Sequence, residues 1–165
     1  MFSKYKKEHN DLYIKLVDFS RNIFFYKEIK LPDAIETRIL LVFFHFSIIL
    51  KVFKIKKNEK FPQSIYDNIF KNIELNLREL GHGDVSVNKK MKQLLTIFYN
   101  ILLQIDANPD NGKFLFNNFL LTEYFGDKVK FDDKSLELIG IYFNNFYDKC
   151  FAVKSENVIR GDINI

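Results

Sequence analysis

The chain has 165 residues, enough for one compact unit and cramped for two. With 47% hydrophobic and 28% charged residues, 6 Gly and 3 Pro, it lies outside the disordered, collagen-like and low-complexity classes. A single cysteine, Cys150, excludes an intramolecular disulfide or a cysteine-based zinc cluster and points to a reducing compartment, while a net charge of +4 is too mild to indicate nucleic-acid binding by itself.

Helical periodicity dominates and no run of strict apolar-polar alternation stands out, which predicts an all-α chain: a single compact helical bundle of about six helices. The first helix is expected over residues 10–26, with Leu12, Leu16, Phe19, Ile23 and Tyr26 three and four apart. Leu31-Pro32-Asp33 breaks the chain. Asp33 with Glu36 three residues on reads as a capping box, so a second helix is expected over residues 34–54. Its middle, ILLVFFHFSIIL, is apolar on every side and belongs either at the centre of a bundle or against an apolar partner. The uncharged stretch, residues 39–50, is 12 long, short of the roughly 20 that cross a bilayer.

Pro62 suits the first turn of a third helix reaching Leu80, with Tyr66, Ile69 or Phe70, Ile73, Leu77 and Leu80 as its buried stripe. Gly81 is the expected left-handed terminator. A fourth helix, capped by Asp84 or Ser86, carries Met91, Leu94, Leu95, Phe98, Leu102 and Ile105 at helical spacing to about residue 106. Asn108-Pro109-Asp110-Asn111-Gly112 marks a turn. A fifth helix is expected over residues 113–125 and a sixth over residues 133–151, with Asp132 as cap. The last dozen residues read as a frayed tail.

Charge is uneven. Residues 1–60 hold 13 basic and 7 acidic residues, and residues 61–165 hold 12 and 14, so the positive potential belongs to the N-terminal third. The first apolar run is broken by Lys4, Lys6, Lys7, Asp11, Lys15 and Asp18, which argues against a secretory signal. The 19 Phe and 8 Tyr are a heavy aromatic load, for which the codon bias of an AT-rich genome is one ready cause.

Catalysis finds no signature: no Walker loop, no dinucleotide glycine fingerprint, no HExxH and no nucleophile elbow. His9, His45 and His82 lack ligand spacing, His45 reads as a core or interface histidine, and Cys150 reads as a small hydrophobe. No cofactor and no small-molecule substrate are expected. The densest local information is LRELGHGDVSVNKKMK, residues 77–92, a tight corner between helices. Lys89, Lys90 and Lys92 fall in the first turns of a helix, where the macrodipole disfavours each exposed cation by about 0.3–1 kcal/mol. They are either a solvated run or a contact for an anion or acidic partner. Arg78 and Glu79 either brace the corner or meet that partner.

This stretch resembles the LRE-x-G-x-GD-x-x-V-x-K-x-x-K signature of the ubiquinol-cytochrome c chaperone family, assembly factors of the respiratory cytochrome bc1 complex. Matches in order upstream are Leu12-Tyr13, Ser20-Arg21, Phe25-Tyr26, Leu31-Pro32-Asp33, Arg38, His45 and Asp67, and Phe98-Tyr99 follows. The resemblance is strongest over residues 11–106 and fades from Gly112. The chain departs from the family at Asn100-Ile101, where members carry Gly-Arg, at Thr37 in place of Gly, and at His82 in place of a small apolar residue.

The resemblance implies a non-enzymatic, all-helical chaperone whose client is newly made cytochrome b, acting in mitochondria with a small partner subunit near the ribosomal tunnel exit. With no Arg- and Ser-rich leader after Met1, a bacterial member is expected, in the cytoplasm or at the inner face of the plasma membrane. The residues expected to bind partners, from the resemblance together with the charge run, are Tyr26, Arg38, His45, Asp67, Arg78, Glu79, Gly81, Gly83, Asp84, Lys89 and Lys90. An apolar client surface is expected on the residue 34–54 helix or on Phe114, Phe116, Phe119, Leu120, Tyr124 and Phe125. Cations for anionic lipid or ribosomal RNA are expected in the N-terminal lysines with Lys51, Lys54, Lys56, Lys57 and Lys60. Two other readings stand beside this one. A peripheral membrane or RNA-binding adaptor would use the basic N-terminal third, and an enzyme would need His45, Arg38 and Asp67 to converge on an open cavity.

Overall fold

The computed structural model describes residues 11–56, 59–106 and 114–165. Among them the chain forms α1 (Asp11–Ser20), α2 (Ile23–Lys27), α3 (Ile35–Ile55), α4 (Gln63–Glu79), α5 (Asp84–Asp106), α6 (Phe119–Phe125), α7 (Asp133–Ala152) and α8 (Ser155–Ile159), with no strand. The all-α class stands as predicted. The turn at residues 108–112 and the lysines of the first ten residues lie outside the described residues.

The bundle is organised around α3. Every residue from 41 to 49 is buried, and α1, α5 and α7 all pack on this helix. A helix with no polar face needs neighbours on all sides, and the charged bracket of Arg38 and Lys51 sets how much of it can be sheathed. Two aromatic layers do the sheathing. Phe43 and Phe46 meet Phe70 of α4 and Phe98 of α5, with Phe46 and Phe98 stacked at a centroid distance of 5.6 Å. On the opposite side Phe44 and His45 face Phe143 of α7, joined by Phe19 and Phe25. Much of the aromatic load is therefore core. The middle of this helix offers no apolar surface to a client, because the side chains of residues 41–49 are consumed inside the bundle.

The first helix divides in two. Ser20 Oγ donates to the Val17 carbonyl at 2.6 Å, and Asn22 caps α2 by accepting the Phe24 N–H at 3.1 Å. Asp33 does not cap α3: Ala34 occupies that place without a side-chain bond, and the Asp33 carboxylate pairs with Arg38. Asp132 does cap α7, accepting the Ser135 N–H at 2.7 Å, and this bond holds its carboxyl below the usual range.

The fifth helix starts at Phe119, later than predicted. Before it, Phe114 stacks on Tyr147 at 4.6 Å and Phe116 on Phe143 at 4.4 Å, while Leu115 between them faces solvent. Asn144 Oδ1 accepts the Phe116 N–H at 2.9 Å. The segment lies extended across α7, and its alternation is too brief to read as a strand.

The predicted frayed tail is ordered. Val158 and Ile163 are buried, and α8 packs on α1. Gly161 makes this possible at φ +75°, where an added Cβ would meet the Asp11 carbonyl oxygen at 2.9 Å. Gly161→Ala is expected to cost about 1–2 kcal/mol in thermal unfolding through left-handed strain and this clash.

Candidate functional site

The corner between α4 and α5 follows from its sequence. Helix α4 cannot continue past Leu80 because Gly81 turns to φ +96°, and the Gly81 and His82 N–H groups close on the Arg78 and Leu77 carbonyls at 3.0 and 3.3 Å. The Gly83 carbonyl accepts the Val87 N–H at 2.8 Å and opens α5. Arg78 donates to Glu74 at 3.2 Å and to Asp84, and these carboxylates hold its guanidinium above its usual range. Arg78 thus braces the corner, with Asp84 and Glu74 as its partners in place of the Glu79 named with it in the sequence reading. His82 Nδ1 lies 2.9 Å from Ser86 Oγ.

Leu80 was expected in the buried stripe, yet it is 59% exposed and lies between two cavities. The larger, about 280 Å³, is walled by Ile35, Ile39 and Leu40 of α3, Leu77 and Leu80, and Leu94 and Ile97 of α5. Tyr124, Glu36, His82, Lys90 and Gln93 complete its lining. The smaller, about 80 Å³, shares Ile35, Ile39, Leu77 and Leu80 and continues between α1, α3 and α4 to Tyr13, Arg21, Arg38 and Asn76. The two adjoin across these four shared apolar side chains and together make up the Leu80 cleft.

The structure brings some predicted residues to this cleft and leaves others away. Lys90 and Arg38 line it, and Gly81, Gly83, Asp84, Arg78 and Glu79 form the adjoining corner. Lys89 is exposed beside Lys90. Tyr26 donates to the Ser20 carbonyl at 2.6 Å near Arg38, and burial raises the pKa of its phenol against the opposing effect of that arginine. Asp67 lies about 20 Å back along α4 from the corner at 1.5 Å per residue, exposed and accepting from Gln63 at 2.8 Å.

His45 lies away from this cleft. It is fully buried, with Nδ1 2.6 Å from the Leu41 carbonyl and Nε2 2.8 Å from the Tyr142 hydroxyl. The cavity that Arg38 lines includes neither His45 nor Asp67, so the convergence required of an enzyme is not there.

Of the expected cations, Lys57 lies outside the described residues and Lys60 is exposed, and the expected apolar side chains are divided between core and surface. Lys56 donates to the Val153 carbonyl at 2.8 Å and lies over the Phe151 ring, so it is engaged within the fold. Phe116, Leu120 and Phe125 are core, whereas Leu115 and Phe119 remain exposed.

Sequence reasoning matched Tyr13 to the family without giving it a role, and passed over Asn76 and the exposure of Leu80. Asn76 donates to the Tyr13 hydroxyl across α1 and α4. Burial, with Glu79 adding and Arg21 opposing, pushes the Tyr13 phenol up to about 12. The signal for Tyr13 was its polar tip beside the buried Leu12. For Leu80 it was the position at a helix end, where a periodic pattern no longer fixes burial.

No curated protein matches the sequence. Among solved structures, the chain is similar to the crystal structure of the Cbp3 homolog from Brucella abortus. The two share 26% identity and a TM-score of 0.68, over 98% of this chain and 91% of that one. The sequence pattern of the family described as Ubiquinol-cytochrome C chaperone matches residues 27–164, reaching well past the point where the resemblance fades to the eye. By that match the chain belongs to the ubiquinol-cytochrome C chaperone family.

Proposed function

We propose that this chain is a non-enzymatic assembly factor that holds newly made cytochrome b while the cytochrome bc1 complex is built, and that the Leu80 cleft is the surface it uses. The observation that carries this is the cleft itself. Two adjoining apolar cavities share Leu80 of the corner formed by the family signature, Lys90 lines one and Arg38 the other, and Val85 of the same corner is 85% exposed. Uncovered apolar surface of this kind suits one segment of a membrane protein, and the flanking cations suit anionic groups around it. No helix among the described residues is long and apolar enough to cross a membrane. Work at the inner face of the membrane, in peripheral contact with anionic lipid, is part of the same proposal.

Gly83 offers a sharp test. Its φ is not left-handed and an added Cβ would meet nothing within 4 Å, so the monomer has no need of glycine there. A partner backbone pressed against the corner would supply the need. Gly83→Ala is expected to leave thermal stability unchanged or raised by about 0.4–1 kcal/mol, and to reduce the cytochrome b that co-purifies with the tagged chaperone. Normal cytochrome b capture by Gly83→Ala would remove the corner from the interface. Absence of capture by the wild-type chain, with normal bc1 assembly in a deletion strain, would remove the function.

A further inference from the structure

The small cavity at the Arg38 end has a chemistry that the client reading does not require. Two cations, Arg21 and Arg38, line it, and no carboxylate does. Arg38 gives a terminal nitrogen to Asp33, yet its Nε is buried and makes no hydrogen bond to a protein acceptor. That one N–H is buried although the side chain as a whole stays 36% exposed, and a buried donor without an acceptor is costly. Tyr13 adds a second donor: Asn76 already donates to the phenol oxygen, so the phenol proton is the one still to be placed. Burial keeps that phenol protonated throughout the physiological range. The remaining wall is apolar, including Val42 and Ile73.

We propose that this cavity binds a carboxylate carried on a short aliphatic arm, with Arg38 and Tyr13 donating to its oxygens and the apolar wall covering the arm. The volume of about 80 Å³ is several times the roughly 10–15 Å³ that admits one water, which is the scale of a carboxylate on two methylenes. A tetrahedral phosphate has no arm to lay on Val42 and Ile73, and a cation would face two arginines. The same group could come from an acidic side chain of the client or from a free short-chain acid.

The test uses the full chain, propionate as probe, and propanamide and inorganic phosphate as controls. The Arg38 Nε–H resonance in 1H–15N spectra is expected to shift and saturate with propionate, without a saturating response to either control. Tyr13→Phe, checked for an unchanged fold by circular dichroism, is expected to weaken propionate binding roughly tenfold. A response that does not saturate, or that propanamide reproduces, overturns the site in favour of water alone. Equal saturation by phosphate overturns its preference for carboxylates.

Co-purification of cytochrome b with Arg38→Gln then separates the sources. Loss of capture assigns the carboxylate to the client, and retained capture beside propionate saturation assigns it to a free acid. If the wild-type chain captures no cytochrome b, the proposed function fails, while the propionate titration still decides this site.

Discussion

Phe143→Ala is expected to remove about 3–5 kcal/mol of folding stability and to lower the melting temperature by roughly 6–20 °C, at about 2–4 °C per kcal/mol in a chain of this size. Phe143 has no exposed surface and stands where four parts of the chain meet. Its ring stacks on Phe116 at 4.4 Å, meets Phe44 edge-on at 5.9 Å and His45 at 5.1 Å, and lies 6.0 Å from Phe25. Truncation to alanine leaves a cavity whose other walls are rigid rings held by separate helices, so collapse is limited and the upper part of the range applies. The extended segment with Phe116 should loosen first, because Phe143 carries one of its two ring stacks on α7, the other being Phe114 on Tyr147. Phe119→Ala, at an exposed ring on α6, is expected to change stability by less than about 0.5 kcal/mol. Urea unfolding of both variants checks this, and a Phe143→Ala loss below about 1 kcal/mol would show that the aromatic layer repacks.

The contrast between those two phenylalanines marks how far the sequence could be read. Periodicity is a local signal, so it placed α3, α4, α5 and α7 within a few residues, and the uncharged middle of α3 announced a helix surrounded by others. Gly81 and Asp132 were legible because a left-handed turn and a side-chain cap are decided within four residues. Asp33 was misread for the opposite reason: its carboxylate had a choice between backbone N–H groups and Arg38, and the arginine one turn away took it. The extended course of residues 114–118 depends on rings of α7 some thirty positions later, and the ordered tail depends on Asp11 and Lys15 at the other end of the chain. No window of local pattern contains those partners.

The cleft follows the same division. Its corner could be seen as a motif, while its walls come from α3, α4 and α5, which only the tertiary fold assembles. Arg38 and Tyr13 were marked singly by the resemblance, and their meeting in one cavity with Asn76 is a product of how α1 crosses α3 and α4.

Acid is expected to destabilise the protein through His45 between pH 6.5 and about 4. Burial lowers the imidazole from its ordinary value of 6.5 to about 4, against a smaller opposing effect of the Leu41 carbonyl. That carbonyl can only accept, so Nδ1 carries the proton and Nε2 accepts from the Tyr142 hydroxyl, itself held neutral by burial. The neutral ring satisfies both bonds inside a cage of Phe19, Phe25, Phe143 and Phe146, and the charged ring has no carboxylate there to pair with.

The unfolded chain takes up a proton near pH 6.5 and the folded chain resists until about 4, so below 6.5 the unfolded state binds more protons. This contribution is complete above pH 6.5 and is lost as the pH falls, amounting to about 3 kcal/mol across the window. Asp132, whose folded value is depressed below 3.8, loses its contribution only at still lower pH. In His45→Phe the ring shape is kept and the titration is gone. Its stability should therefore fall less steeply than that of the wild type between pH 6.5 and 4.5, even though loss of the Tyr142 partner lowers it at neutral pH. Denaturant unfolding across that range gives the two slopes. Parallel lines for wild type and variant would mean that the histidine is charged inside the fold, with the Tyr142 hydroxyl turned to accept from it.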